Sequence, residues 1–129
     1  EVPVEAIDDL GLGRLDLLKV DAQGMEAEVL KGAARTIGKF LPSIYMEYES
    51  QSRELYHLVR SLGPYKCYHH APPLYNARNF RGERFNLFGE MRSFNVYCVA
   101  RPEAIVPEWL LERDLERVQL PRIVQAGAA

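Results

Sequence analysis

The chain has 129 residues, the size of one ordinary domain, and its 47% hydrophobic and 26% charged residues exclude wholesale disorder. Sixteen Lys and Arg against eighteen Asp and Glu leave a net charge of -2. That gives no electrostatic footprint for a nucleic acid, no polybasic run for an anionic membrane, and no apolar run long enough to span a bilayer. Glu1-Val2-Pro3-Val4 has neither an initiator Met nor the basic start of a signal peptide, so the chain is expected to be a piece of something longer, with a cytoplasmic home as the default.

Leu15 to Val20 is a short apolar run closed by Asp21 and Gly24, which predicts a strand. Met25, Val29, Ala33 and Ile37 then recur every four residues, with Leu30, Ala34 and Leu41 on the same side, which predicts one amphipathic helix of about four turns stopped by Pro42. Glu26 and Glu28 at its start and Arg35 and Lys39 near its end suit the helix dipole. Ser43 to Glu49 is β-branched and aromatic, a second strand. Ser50 or Ser52 caps a second helix with an apolar stripe of Leu55, Leu58, Val59 and Leu62, ended by Gly63-Pro64. Tyr65 to His70 and Ser93 to Ala100 read as the third and fourth strands. Pro107 to about Val118 reads as a terminal helix, followed by a tail that should fray. Cys67 and Cys98 fall in the last two strands and are expected as buried reduced thiols, although neighbouring strands would allow a bridge.

This alternation predicts an α/β fold, a mostly parallel sheet with helices against its faces and a final antiparallel strand. Ala71 to Arg92 has no helical or strand period, and a connection of that length inside a domain is usually functional or disordered. It interleaves Pro72, Pro73, Tyr75, Phe80, Phe85 and Phe88 with Asn76, Arg78, Asn79, Arg81, Arg84 and Asn86. Disordered segments are poor in aromatics, so an ordered lid or binding loop is expected, taking a small-molecule or sugar-like ligand. His70, Tyr75, Asn76 and Arg81 are its candidate acceptor-binding residues.

Open parallel sheets bind ligands at the carboxyl ends of their strands. That selects Asp21, Glu47 and Glu49, and His69 and His70. If the first two strands are neighbours, Asp21 and Glu47 open onto one crevice and can act as base and orienting acid toward a hydroxyl, or hold a cation. The plainer readings are that Asp21 caps the following helix and Glu47 pairs with an Arg, and sequence leaves both alternatives standing. His69 and His70 point to opposite faces, so at most one shares a face with Cys67 and no zinc site is expected. His57 lies off the apolar stripe, a solvated position. Gly11-Leu-Gly13 precedes a strand instead of following one and reads as loop.

Two stretches carry a resemblance. Ile7-Asp-Asp-Leu10 followed by Leu15 through Ala33, with Asp21, Gly24 and Glu26 in the middle, resembles the signature of the FkbM family of methyltransferases. His70-Ala-Pro-Pro-Leu-Tyr-Asn76, Asn79-Phe-Arg-Gly82, Asn86-Leu-Phe-Gly89 and Ser93-Phe-Asn-Val-Tyr-Cys-Val99 are similar to a C-terminal motif block in a branch of that family. The resemblance covers about residues 2 to 101, with 102–129 left as terminal helix and tail. It implies an S-adenosylmethionine-dependent O-methyltransferase of the doubly wound, Rossmann-like class, acting on a sugar, glycan or secondary-metabolite hydroxyl. The four strands would be the fourth to seventh of that sheet. Asp21 and Glu47 would be catalytic, and Asp21, Gly24 and Glu26 would touch the cofactor. Gln23 stands where the family usually has Glu.

The glycine-rich turn and ribose-binding acid of that class are absent from these residues. The resemblance therefore implies that most of the cofactor is bound by a preceding half, and that the first strand is left as an exposed, pairing-prone edge through which the chain can self-associate. An alternative in a different class is a non-catalytic acceptor-binding or interaction module that pairs with a partner through that edge.

Overall fold

The computed structural model describes residues 3–47 and 52–111. A 3-10 turn (Ile7–Asp9) precedes β1 (Leu17–Val20), α1 (Glu26–Lys31), α2 (Ala34–Phe40) and β2 (Ser43–Glu47). Then come α3 (Ser52–Leu62), β3 (Lys66–His70), β4 (Asn95–Val99) and α4 (Glu108–Leu111). The expected strand at Tyr48 and Glu49, the cap at Ser50 and the tail beyond Leu111 lie outside the described residues.

The four strands form one mixed sheet in the order β1-β2-β4-β3. β1 and β2 pair in parallel, and β4 is inserted between β2 and β3, antiparallel to both. Three strands thus run one way and the last runs against them, and β1 is an edge. Alternation along each strand divides the side chains between two faces. Leu18, Val20, Ile44, Met46, Val96, Cys67 and Cys98 share one face and are buried with Leu30, Ile37 and Val59 of the three helices and Ala33 between the first two. The opposite face carries Leu17, Lys19, Tyr45, Tyr97 and Tyr68. Among the described residues it is covered at the β3–β4 side, where Leu110 packs on Tyr68 and Val99. Leu17 stays 58% exposed.

The single helix expected from Met25 to Leu41 is two helices. The chain turns at Gly32 and Ala33, where Ala33 has left helical geometry (φ −115°, ψ 6°). A Cβ at Gly32 would lie 3.5 Å from the Ala6 Cβ, in ordinary van der Waals contact with the segment before the 3-10 turn. The break leaves α2 with its own unsatisfied N–H groups. Asp8 satisfies two of them, its carboxylate accepting from Thr36 N at 2.8 Å and Arg35 N at 3.0 Å. Burial would raise the Asp8 pKa, but these bonds and the Arg35 side chain outweigh it and hold the pKa at about 2. A four-residue apolar period runs straight through such a break, because the next helix resumes the same face. Met25 precedes the first helical turn and is 59% exposed, so it does not join the stripe.

Cys67 and Cys98 sit directly opposite on β3 and β4, Cα–Cα 4.0 Å, and are joined by a disulfide. The expectation of reduced thiols is corrected: antiparallel pairing brings the two side chains to the same spot on the buried face, a placement that sequence spacing alone does not reveal. Behind them Tyr65 is fully buried, its hydroxyl donating to Pro42 O at 2.9 Å, and burial pushes its pKa up to about 12.

Candidate functional site

The parallel β1–β2 register aligns Val20 with Met46, so the residues that follow leave the sheet side by side at its carboxyl end. Asp21 leaves β1 there. Its carboxylate is exposed and paired with Lys19 Nζ at 2.8 Å. Lys19 and Asp21 are two residues apart on an extended chain and therefore on the same side. This hydrogen bond and the Lys19 charge hold the Asp21 pKa below the ordinary carboxylate value, with smaller contributions from the Glu47 and Gln23 side chains. Asp21 and Glu47 thus stand side by side at this end of the sheet, and Gln23 Nε2 donates to Glu47 Oε2 at 3.4 Å. Asp21 makes no cap to α1, whose N-terminal position is Met25 without a side-chain cap.

The turn from Asp21 to Gly24 is held by Glu26. Its Oε1 accepts from Ala22 N and Gly24 N, both at 3.2 Å. Gln23 (φ 49°) and Gly24 (φ 91°) take left-handed backbone, which Gly24 adopts without steric cost. Glu26 therefore fixes the backbone that presents Asp21.

Across the rest of the edge, Glu47, Asn95 and His70 stand in register on β2, β4 and β3. Asn95 is buried and donates to Ser93 Oγ at 2.8 Å. His70 Nδ1 lies 2.9 Å from Tyr45 Oη, and the His70 ring is 5.1 Å from that of Trp109 in α4. Burial raises the Tyr45 pKa, with Lys19 opposing it. Sequence reading did not single out Lys19, Tyr45 or Asn95. The two-residue strand period points to Lys19, whereas Tyr45 and Asn95 become neighbours of His70 only through the inserted β4.

The 71–92 loop starts from His70 and returns to Asn95. Its base is clasped by Leu74 N to Met91 O, Ser93 N to Pro72 O, and Arg92 Nη1 to Ala71 O. Tyr75 and Asn76 are built into its frame: Tyr75 Oη and Asn79 Nδ2 both donate to Glu83 O, and Asn76 Oδ1 accepts from Arg78 N. Arg81 is exposed. Tyr75, Asn76 and Arg81 are therefore grouped on the loop, and Asp21, Gly24, Glu26 and Glu47 at the crevice, with His70 between. A shallow groove of about 250 Å³ between Gly11–Leu12 and Arg35, Lys39 and Phe40 of α2 contains none of these residues. Among the described residues no three His, Cys, Asp or Glu gather to hold a metal, and no helix is long and apolar enough to cross a membrane.

Comparison with known proteins gives one result. The family description "Methyltransferase FkbM domain" matches residues 1–100. No curated protein and no solved structure matches. The match takes in β1 through β4, the crevice and the whole loop, and the chain belongs to the FkbM methyltransferase domain family.

Proposed function

We propose that the chain is the acceptor-side part of an S-adenosylmethionine-dependent O-methyltransferase of the doubly wound, Rossmann-like class. The observation that carries this reading is the Asp21–Glu47 crevice at the carboxyl ends of two adjacent parallel strands, within a family match that spans it. Two carboxylates there complement a cationic sulfonium, so the residues present fit that end of the cofactor. When bound, S-adenosylmethionine supplies an electrophilic methyl group. Asp21 and the Gly24 backbone would stand beside that end, held by Glu26. No strand followed by a glycine-rich turn occurs among the described residues, so the remainder of the cofactor would be held by residues preceding this part.

An exposed aspartate is ionised at neutral pH, and pairing with Lys19 lowers its pKa further, which makes the carboxylate a weak base. It would therefore act chiefly by accepting a hydrogen bond from the acceptor hydroxyl and aiming that oxygen at the methyl group, with Glu47 alongside. The hydroxyl proton would leave through its carboxylate to water as the methyl group is transferred and the neutral thioether is released. Positioning of this kind supplies much of the rate in a single in-line transfer. The acceptor is a small-molecule or glycan hydroxyl. The test is transfer of radiolabelled methyl groups from S-adenosylmethionine to a panel of sugars and glycans, using the whole natural protein. Asp21→Asn should lower kcat by about a hundredfold or more and also weaken cofactor binding, since it removes one of the two carboxylates facing the sulfonium. Unchanged kcat in that variant would remove Asp21 from the mechanism.

The bare β1 edge, with Leu17 exposed, favours one other reading: a non-catalytic module that pairs with a second copy or a partner through this edge. Light scattering of the chain distinguishes it, since a strict monomer at high concentration counts against self-pairing.

A further inference from the structure

The 71–92 loop spends its polar groups on itself, with the exception of its arginines. Asn76, Asn79 and Asn86 side chains all bond to loop backbone, and the Glu83 carboxylate accepts from Phe85 N at 2.9 Å. Arg92 is used at the base. Arg78, Arg81 and Arg84 are exposed and make no ion pair with any described residue. The loop holds four of the chain's sixteen basic residues but two of its eighteen acidic ones, Glu83 and Glu90, so it is a cationic projection on an otherwise acidic chain. Phe80 is 98% exposed and Phe85 70% exposed, each among these arginines in sequence. A loop that is internally bonded yet presents unpaired guanidinium groups and free aromatic faces is built to meet an anion joined to rings.

We propose that this loop binds the diphosphate of a nucleotide-activated sugar, through Arg78, Arg81 and Arg84, with Phe80 and Phe85 against its rings. The loop leaves the sheet at His70 and returns at Asn95, opposite Glu47, so its base adjoins the end of the sheet that carries Asp21 and Glu47. The inference deepens the methyltransferase reading by naming the class of acceptor, and its placement of the sugar rests on that reading. Guanidinium groups bind phosphate oxygens bidentately, and aromatic faces accept a base or sugar ring without demanding its identity.

Binding to the loop needs no cofactor, so it is tested on the chain alone, and failure there leaves the methyltransferase reading standing. Uridine diphosphate glucose is titrated into the isotope-labelled chain, and the backbone amides of residues 75–88 are followed by NMR. Saturable shifts confined to these residues are expected, with none from glucose. Affinity should fall about tenfold or more in R78Q/R81Q/R84Q, and by a similar factor in the unaltered chain when salt rises from about 50 to 300 mM. The three side chains bond nothing among the described residues, so Tm should stay within about 2 °C. Absence of saturation, equal affinity in the triple variant, or shifts produced only by anionic lipid vesicles would overturn the proposal. Were the variant to misfold, the salt dependence of the unaltered chain decides in its place.

Discussion

Glu26→Ala tests the brace that presents Asp21. The substitution removes the carboxylate oxygen that accepts from Ala22 N and Gly24 N. A net hydrogen bond is worth about 0.5–1.5 kcal/mol, and more to a charged acceptor when water is excluded. One of these two donors is part-buried and the other exposed, so the pair should contribute about 1–2 kcal/mol. Ala is at least as good a helix former as Glu, so the loss of α1 propensity does not confound the measurement. Urea unfolding followed by circular dichroism should show that loss with an unchanged slope. The melting temperature should fall by about 3–6 °C per kcal/mol for a chain of 129 residues. Glu26→Gln keeps a carbonyl oxygen at the same place and should lose about half as much. Hydrogen exchange at Ala22 should accelerate in the alanine variant alone. If Glu26→Ala melts within about 1 °C of the parent, or Ala22 exchanges at an unchanged rate, Glu26 does not hold the turn.

The remaining predictions address other parts of the structure. Asp8 has a folded pKa of about 2, lowered from 3.8, so its stabilisation is complete above pH 3.8 and disappears as pH falls toward 2. Asp8→Asn should flatten that part of the acid-unfolding curve, and an unchanged curve would remove Asp8 from the acid limb. Tyr65 is shifted the other way, from 10.0 to about 12, so stability should hold below pH 10 and decline between pH 10 and 12, less steeply in Tyr65→Phe. Reducing the Cys67–Cys98 bridge, which closes a loop of 31 residues, should cost about 3–4 kcal/mol and add two titratable thiols. Two thiols titrating in denaturant without reductant would show the pair unbridged, the state expected of a reducing compartment. Ile37→Ala, at a fully buried position of α2, should destabilise by about 2–5 kcal/mol in urea.

Much of this architecture was legible because it rests on local pattern. The apolar run before Asp21, the stripe of Leu55, Leu58, Val59 and Leu62, and the alternation from Asn95 to Val99 each follow the period of their element. The strand–helix alternation fixed the α/β class, while the resemblance supplied the family. What stayed hidden was long-range. The break at Gly32–Ala33 depends on Asp8, more than twenty residues upstream, replacing the missing helical bonds. The cysteine bridge and the Tyr45–His70 contact both depend on β4 entering between β2 and β3. Asp21 and Glu47 could be placed at one crevice as soon as their strands were neighbours. Lys19, which pairs with Asp21 and lowers its pKa, was passed over because a strand lysine most often only faces water.

The central claim is that this chain supplies the acceptor side of an S-adenosylmethionine-dependent methyltransferase. The most direct test is a calorimetric titration of S-adenosylmethionine, first into the 129-residue chain and then into the same chain extended by whatever its gene encodes upstream. The account predicts no saturable binding to the shorter chain and micromolar binding to the longer one. Micromolar binding by the 129 residues alone would place the cofactor site within these strands, and binding by neither would contradict the methyltransferase reading itself.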